Sequence, residues 1–219
     1  IILFSTLVVG SIFVSCKKET EEPSNGTTTG STTSTTAGST TSTTSGSTTG
    51  TTSGDNLNWI SVNHEWEYEV STIGFTGTLT QKIDKELTTG SFLYTSLTDF
   101  MGNTSLDSSI YTKSLPNLYS RGFNDLSSTD LLIYKTGLKV GDTFGPDESF
   151  NEVVSISEQV AVSAGNFICI KIKTHDKVTS TSTGDYGLLY ISPSFGLIKQ
   201  ENFENNASQS VIKLKSKNF

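Results

Sequence analysis

From His64 to Val70 the chain alternates, with His64, Trp66, Tyr68 and Val70 on one side and Glu65, Glu67 and Glu69 on the other. A period of two with one apolar face predicts a half-buried antiparallel strand. Phe75 to Ile83 and Ser91 to Leu97 are rich in Thr, aromatic and β-branched residues and read as further strands. Glu158–Val162 and Phe167–Lys173 flank Ser163-Ala-Gly-Asn166, a hairpin signal. Gly187–Ile191 and Gly196–Glu201 flank Ser192-Pro-Ser-Phe195, where Pro193 suits a turn. Leu138 to Phe144 reads as a tight turn, and Asn205 to Ser208 as a last turn before Val211–Lys215. No stretch holds a 3.6-residue period over three turns. The pattern predicts an all-β domain of about ten strands, with one short helix near Ser127 to Leu132.

The first fifteen residues follow a different rule. Ile1 to Ser15 is almost wholly apolar and ends at Cys16, after which the chain turns polar with Lys17-Lys18-Glu19-Thr20-Glu21-Glu22. A bilayer-spanning helix takes about 20 apolar residues, so this run fits the apolar core of a secretory signal better. Phe13-Val14-Ser15-Cys16 resembles the bacterial lipobox, Leu-(Ala/Ser)-(Gly/Ala)-Cys, with Phe13 for Leu and Ser15 for Gly or Ala. The chain begins at Ile1 without a methionine or basic residues, so a Lys/Arg-bearing start is expected to precede it. The resemblance implies cleavage before Cys16 and acylation of Cys16. Each buried methylene contributes about 0.8 kcal/mol, and two or three acyl chains hold a protein to the membrane durably. Lys17 is not the Asp that favours retention in the inner membrane of enterobacteria. The acidic cluster after the cysteine is similar to the export tags of Bacteroidota surface lipoproteins. The expected location is the outer membrane, exposed at the surface, with the periplasmic face as the alternative.

Residues 16–54 are expected to form a tether. From Asn25 the chain is almost entirely Thr, Ser and Gly, repeating every eight residues from Gly30, Gly38 and Gly46 to Gly54. No side chain there is large enough to offset the entropy of folding. A Gly-rich coil of about 40 residues has a root-mean-square reach of about 35 Å. Residues 55–219 then make one domain with its own core.

Charge narrows the partners. Three acidic and two basic residues precede position 55, leaving 19 acidic and 13 basic in the domain, a net of −6. That argues against nucleic acid, which demands a basic footprint, and gives no attraction to anionic lipid. Cys169 has no second cysteine in the mature domain to pair with. It reads as a small buried hydrophobe on the face of Phe167, with Ile168, Ile170 and Ile172 on the other. His64 and His175 stand at no recognisable catalytic or zinc spacing. The Glu65, Glu67 and Glu69 stripe could hold a cation but reads more simply as a solvated strand face. Neither a Gly-x-Ser-x-Gly elbow nor a phosphate-binding Gly loop with its Lys is present. No catalytic residue, cofactor site or metal site is expected, and the only functional position named is the lipidation site Cys16. Trp59, Trp66, seven Tyr and ten Phe could line a cavity for an apolar ligand or fill the core.

Three segments carry a family resemblance. Val162-Ser-Ala-Gly-Asn-Phe-Ile-Cys-Ile-Lys-Ile-Lys173 is similar to the Val-Pro-Ala-Gly-Thr-Phe…Lys-Val pattern of the TapB-like envelope lipoprotein domains of Bacteroidota. Tyr190-Ile-Ser-Pro-Ser-Phe-Gly-Leu-Ile-Lys-Gln-Glu201 resembles their Tyr-…-Pro-Gly-Val-Gly-Leu-Val-Lys-…-Glu, and Val140-Gly-Asp-Thr-Phe144 lies ahead of both. The likeness runs mainly from Gly137 onward, with Ser163 for Pro and Asn166 for Thr. It implies an antiparallel sheet curled into a half-open barrel, and no catalytic residues come with it. The family name points to pilus assembly. Together the readings describe a non-enzymatic, monomeric lipoprotein, held in the membrane by lipidated Cys16, that presents a β domain to envelope proteins or glycans. The alternative is a carrier for an apolar small molecule or lipid.

Overall fold

The computed structural model describes residues 57–123, 129–145, 149–176 and 185–219, all within one compact unit. The leader, Cys16 and the tether lie outside the described residues. Twelve strands follow in chain order: β1 (Glu65–Thr72), β2 (Phe75–Thr88), β3 (Ser91–Phe100), β4 (Asn103–Ser114), β5 (Asn117–Gly122), β6 (Leu131–Lys135), β7 (Thr143–Phe144), β8 (Ser149–Val162), β9 (Gly165–Asp176), β10 (Tyr186–Ser192), β11 (Gly196–Glu204) and β12 (Ala207–Lys217). They form one antiparallel sheet in the order β6-β5-β4-β3-β2-β1-β12-β11-β10-β9-β8-β7. Every neighbour is the next strand in the chain except β1 and β12, which join the two halves through Tyr68↔Leu214 and Val70↔Ile212.

The all-β expectation stands, with two corrections. There are twelve strands rather than about ten, and the barrel is nearly closed rather than half-open. Of the short helix expected near Ser127 to Leu132, residues 127–128 lie outside the described residues, and Leu131 and Leu132 begin β6. The alternating residues of β1 turn as expected: Trp66, Tyr68 and Val70 are buried, and Glu69 is exposed. Opposite them Leu79, Gln81 and Ile83 of β2 and Tyr94, Ser96 and Thr98 of β3 also face inward. Ile172 and Leu189, paired across β9 and β10, supply the other wall.

The seam lies between the sheet's two ends, β6 and β7, which are consecutive in the chain. The segment before β1 spans the interior at one end. The Trp59 ring meets Trp66 of β1 at 6.3 Å and Tyr134 of β6 at 6.3 Å, both edge-on. It also lies against Gly196, where a Cβ would sit 2.8 Å from its ring. Trp66 Nε1 donates to Phe195 C=O at 2.8 Å. Residues far apart in strand order thus converge on one indole, which holds the sheet curled.

Two hairpins depart from the regular barrel. β8 and β9 run past the ends of their neighbours, and Ala164 N–H at their tip donates to Leu214 C=O of β12 at 3.4 Å. Along β8 the register slips twice, between Val153 and Ser155 and between Ser155 and Glu158. β7 covers only Asn151 and Glu152 on the outer side of this strand, and the turn before it bonds Val153. β3 and β4 project at the opposite end: β5 pairs with β4 only from Ser109 onward and Phe123 N–H reaches Ser108 C=O, so Asn103–Asp107 has β3 alone beside it. Their turn, Met101-Gly102, has both residues at positive φ, 55° and 75°. The left-handed conformation costs a residue with a Cβ about 1–2 kcal/mol, and Gly, Asn or Asp is usual in such a turn. The β11–β12 turn obeys that rule with Asn205-Asn206.

Candidate functional site

Among the described residues, aromatic rings pack the interior around a small cavity of about 40 Å³. Its lining includes Trp59, Tyr68, Tyr94, Tyr111, Tyr134 and Gln81. Alternation on β1, β3 and β4 turns Tyr68, Tyr94 and Tyr111 inward, and the curl of the sheet brings their hydroxyls near one another. The Tyr94 and Tyr111 rings stack at 4.3 Å and 10°. Tyr68 donates to Leu197 C=O at 3.1 Å. The Tyr94 and Tyr111 hydroxyls lie close enough to act on each other electrostatically, but neither makes a hydrogen bond of standard geometry. Trp59 Nε1, also on this cavity, is likewise unpaired. Burial pushes all three phenols above the ordinary tyrosine range, and the nearby Tyr111 adds to the effect on Tyr68 and Tyr94.

The hydroxyls predict opposite mutational signs. A buried hydroxyl without a partner costs about 1–3 kcal/mol, whereas a made bond is worth about 1 kcal/mol net. Tyr111→Phe is therefore expected to leave stability unchanged or raise it, and Tyr68→Phe to lower it by about 1 kcal/mol. Denaturant melts of both variants check this. A loss of 1 kcal/mol or more from Tyr111→Phe would show that its hydroxyl is satisfied in solution.

Away from this cavity, the residues weighed for chemistry are dispersed. Cys169 is fully buried, and burial first and Glu158 second push its thiol up to about 12, so it stays protonated near neutral pH. Of its neighbours, Ile170 and Ile172 are buried, while Ile168, beyond the end of β10, is 64% exposed. His64 donates from Nδ1 to Trp59 C=O at 3.1 Å and stacks on Phe219 at 3.9 Å. His175 pairs with Glu152 at 2.9 Å and stacks on Phe150 at 4.6 Å. The two histidines are thus bound up in separate contacts. In the glutamate stripe, Glu67 accepts from Lys215 at 2.7 Å and Ser216 at 3.0 Å, and both bonds hold its exposed carboxyl below the usual range. Tyr190, on the outer face, lies between Lys171 and Lys199, whose Nζ atoms sit 5.3 and 5.2 Å from its ring centre. These lysines pair with Glu158 at 3.1 Å and Glu201 at 2.8 Å. Among the described residues no group of three or more His, Cys, Asp or Glu side chains is placed to hold a metal ion.

The sequence reading missed the convergence of Tyr68, Tyr94 and Tyr111. Alternation gives the inward face of each strand, but not which inward residues meet across a curled sheet.

Comparisons with known proteins agree with this architecture. A protein from Bacteroides fragilis, described as exported and having a YmcC-like fold, matches with a TM-score of 0.55 and 16% identity, over 73% of this chain and 97% of its own. A protein from Parabacteroides distasonis, described as a lipoprotein, matches with a TM-score of 0.51 and 15% identity, over 72% of this chain and 96% of its own. At these identities the likeness is one of fold. None of the curated proteins matches the chain. The family model described as DUF3108-like matches residues 90–214, from the start of β3 to the inward Leu214 of β12. With more than half its length so matched, the chain belongs to the DUF3108-like family.

Proposed function

We propose that the protein is a lipid-anchored lipoprotein of the outer membrane whose β domain, carried on residues 16–54, works through its outer surface by contact with envelope proteins or glycans. The observation that carries this reading is the filled interior. A cavity of about 40 Å³ has room for about three water molecules, at roughly 10–15 Å³ each. An acyl chain or a drug-sized ligand needs several hundred Å³, so this cavity favours the surface-contact reading over the carrier reading. The Phe13-Val14-Ser15-Cys16 motif supports the anchor, and the description of fold relatives as exported or as a lipoprotein supports an envelope setting. The TapB-like resemblance of the C-terminal half adds an assembly role in the envelope as the finer form of this reading.

Fractionation of cells tests it. Cys16→Ala is expected to move the protein from the membrane to the soluble fraction, and protease added to intact cells is expected to remove the wild-type domain. Unchanged partitioning of Cys16→Ala would overturn the anchor. Protection from protease until the outer membrane is broken would place the domain in the periplasm.

A further inference from the structure

The inner face of the sheet changes character at the end away from Trp59. Val153, Ile172, Leu189, Ile212 and Val70 lie in one cross-strand row and are all buried. One pleat nearer the end, the same face presents Asn151, Thr174, Gly187, Asn202, Ser210 and Thr72, each paired with the next. All but Asn151 are partly open to solvent, so this end is an open mouth over an aliphatic floor. Past Thr72 the wall continues into its partner Phe75, 48% exposed, and into Phe100, whose ring lies over Gly77. The two rings meet edge-on at 6.2 Å.

The polar row is held in place by its own bonds. Thr174 Oγ1 donates to Asn151 Oδ1 at 2.9 Å, and Asn202 Nδ2 donates to Ser210 Oγ at 2.9 Å. Gln200 interrupts the aliphatic row between Leu189 and Ile212 and donates from Nε2 to Asn202 Oδ1 at 3.1 Å. Its Oε1 is buried with no hydrogen-bond partner. Such an oxygen costs about 1–3 kcal/mol, which an aliphatic residue in this row would avoid, and a ligand hydroxyl donating to it would recover that cost. Gly187 leaves a gap in the row, since a Cβ there would meet only Asn202 Oδ1 at 3.5 Å and Thr174 Cβ at 3.6 Å.

This chemistry selects the ligand. Neither row carries a charged residue, and just beyond them Asp185 accepts from Asn205 N–H at 2.9 Å, so an anion finds no counter-charge. An apolar ligand would strip water from the amides and hydroxyls without replacing their bonds. A peptide added as a strand needs a free sheet edge, whereas every strand of the row is paired on both sides. Amides and hydroxyls beside an exposed aromatic ring suit a neutral sugar, which has hydroxyls to bond and an apolar ring face to pack. Strands about 4.8 Å apart spread the row over roughly 24 Å of arc, room for several sugar units.

We propose that this mouth binds a neutral oligosaccharide, with sugar hydroxyls on the Asn151–Thr72 row and a sugar face against Phe75. The inference rests on the glycan form of the proposed contact and gives that contact a place.

Calorimetric titration of the full chain, held in a detergent without a sugar head group, tests it. The probes are maltohexaose, cellohexaose, mannohexaose and xylohexaose, with hexagalacturonate as the acidic control. Saturable binding of at least one neutral hexaose is expected, and none of hexagalacturonate. Gly187→Val, which fills the gap, and Phe75→Ala, at an exposed position, are each expected to weaken binding by about tenfold or more while the thermal midpoint holds. Lys213→Ala, on the outer face, is expected to leave binding unchanged. No binding of any neutral hexaose, equal binding of the acidic one, or binding that survives both mouth variants would each overturn the inference. The last result would leave glycan contact standing and move it elsewhere on the domain, and protease treatment of intact cells reads surface exposure independently of all three.

Discussion

Trp59→Ala is expected to destabilise the domain by about 3–5 kcal/mol, the range for removing a large buried ring. For a domain of this size that lowers the thermal midpoint by roughly 6–20 °C. Trp59 is only 8% exposed, and its ring is the shared contact of Trp66, Tyr134 and Gly196. Those residues sit on β1, β6 and the start of β11, which no strand pairing holds together at this end. Losing the ring removes its own burial and also the wedge against which the sheet's end strand rests. Its unpaired Nε1 offsets a little of the loss, because the substitution also deletes an unsatisfied donor. Calorimetry or denaturant melts would measure the change. A loss below about 1 kcal/mol would mean that the barrel keeps its curl without the indole.

Gly196→Ala should cost about 2–4 kcal/mol, through two separable effects. Gly196 has φ of +79°, where a Cβ costs about 1 kcal/mol or somewhat more. The added carbon would also stand 2.8 Å from Trp59 Cε3, so the ring or the turn must shift, an overpacking cost of about 1–3 kcal/mol. The two parts separate in a double-mutant cycle. With Trp59→Ala already present the steric part disappears and only the backbone part remains, so the pair should couple by about 1–3 kcal/mol. Strict additivity would show that the two residues do not press on each other.

The legible parts of the fold are those where one face is buried and the other wet. β1 and the hairpins β8–β9 and β10–β11 announced themselves through alternation and through turns such as Ser192-Pro-Ser-Phe195, and the structure has them there. β4 was not read because Asn103–Asp107 is exposed on both faces beyond the barrel, so no hydrophobic period exists to be seen. Leu131 and Leu132, which open β6, were taken for the end of a short helix, since Leu131, Leu132, Ile133 and Tyr134 are consecutive apolar residues that show no alternation. Its register against β5 slips between Leu118 and Tyr119, which buries Ile133 and Tyr134 side by side and erases the alternation. The burial of Cys169 was legible from its lack of a partner and its apolar strand. The polar mouth was not, since a sequence shows that Asn151, Thr174 and Asn202 are polar but not that three strands turn them to one inner row.

An unsealed barrel has a rim that another chain can extend, and the outer side of β8 is the longest stretch of that rim among the described residues. Its sequence, Val154-Ser-Ile-Ser-Glu-Gln-Val-Ala-Val162, is rich in β-branched residues and contains no proline, a composition prone to stacking with its own copies. The two slips of register fall inside it. A straight visiting strand laid along this edge beyond Val153 meets the irregular backbone between Ser155 and Glu158, so it cannot make a continuous ladder. A ladder along this edge is therefore interrupted, although Val154 and Ile156 remain in view of solvent. Irregular backbone, rather than hidden side chains, is what guards this edge.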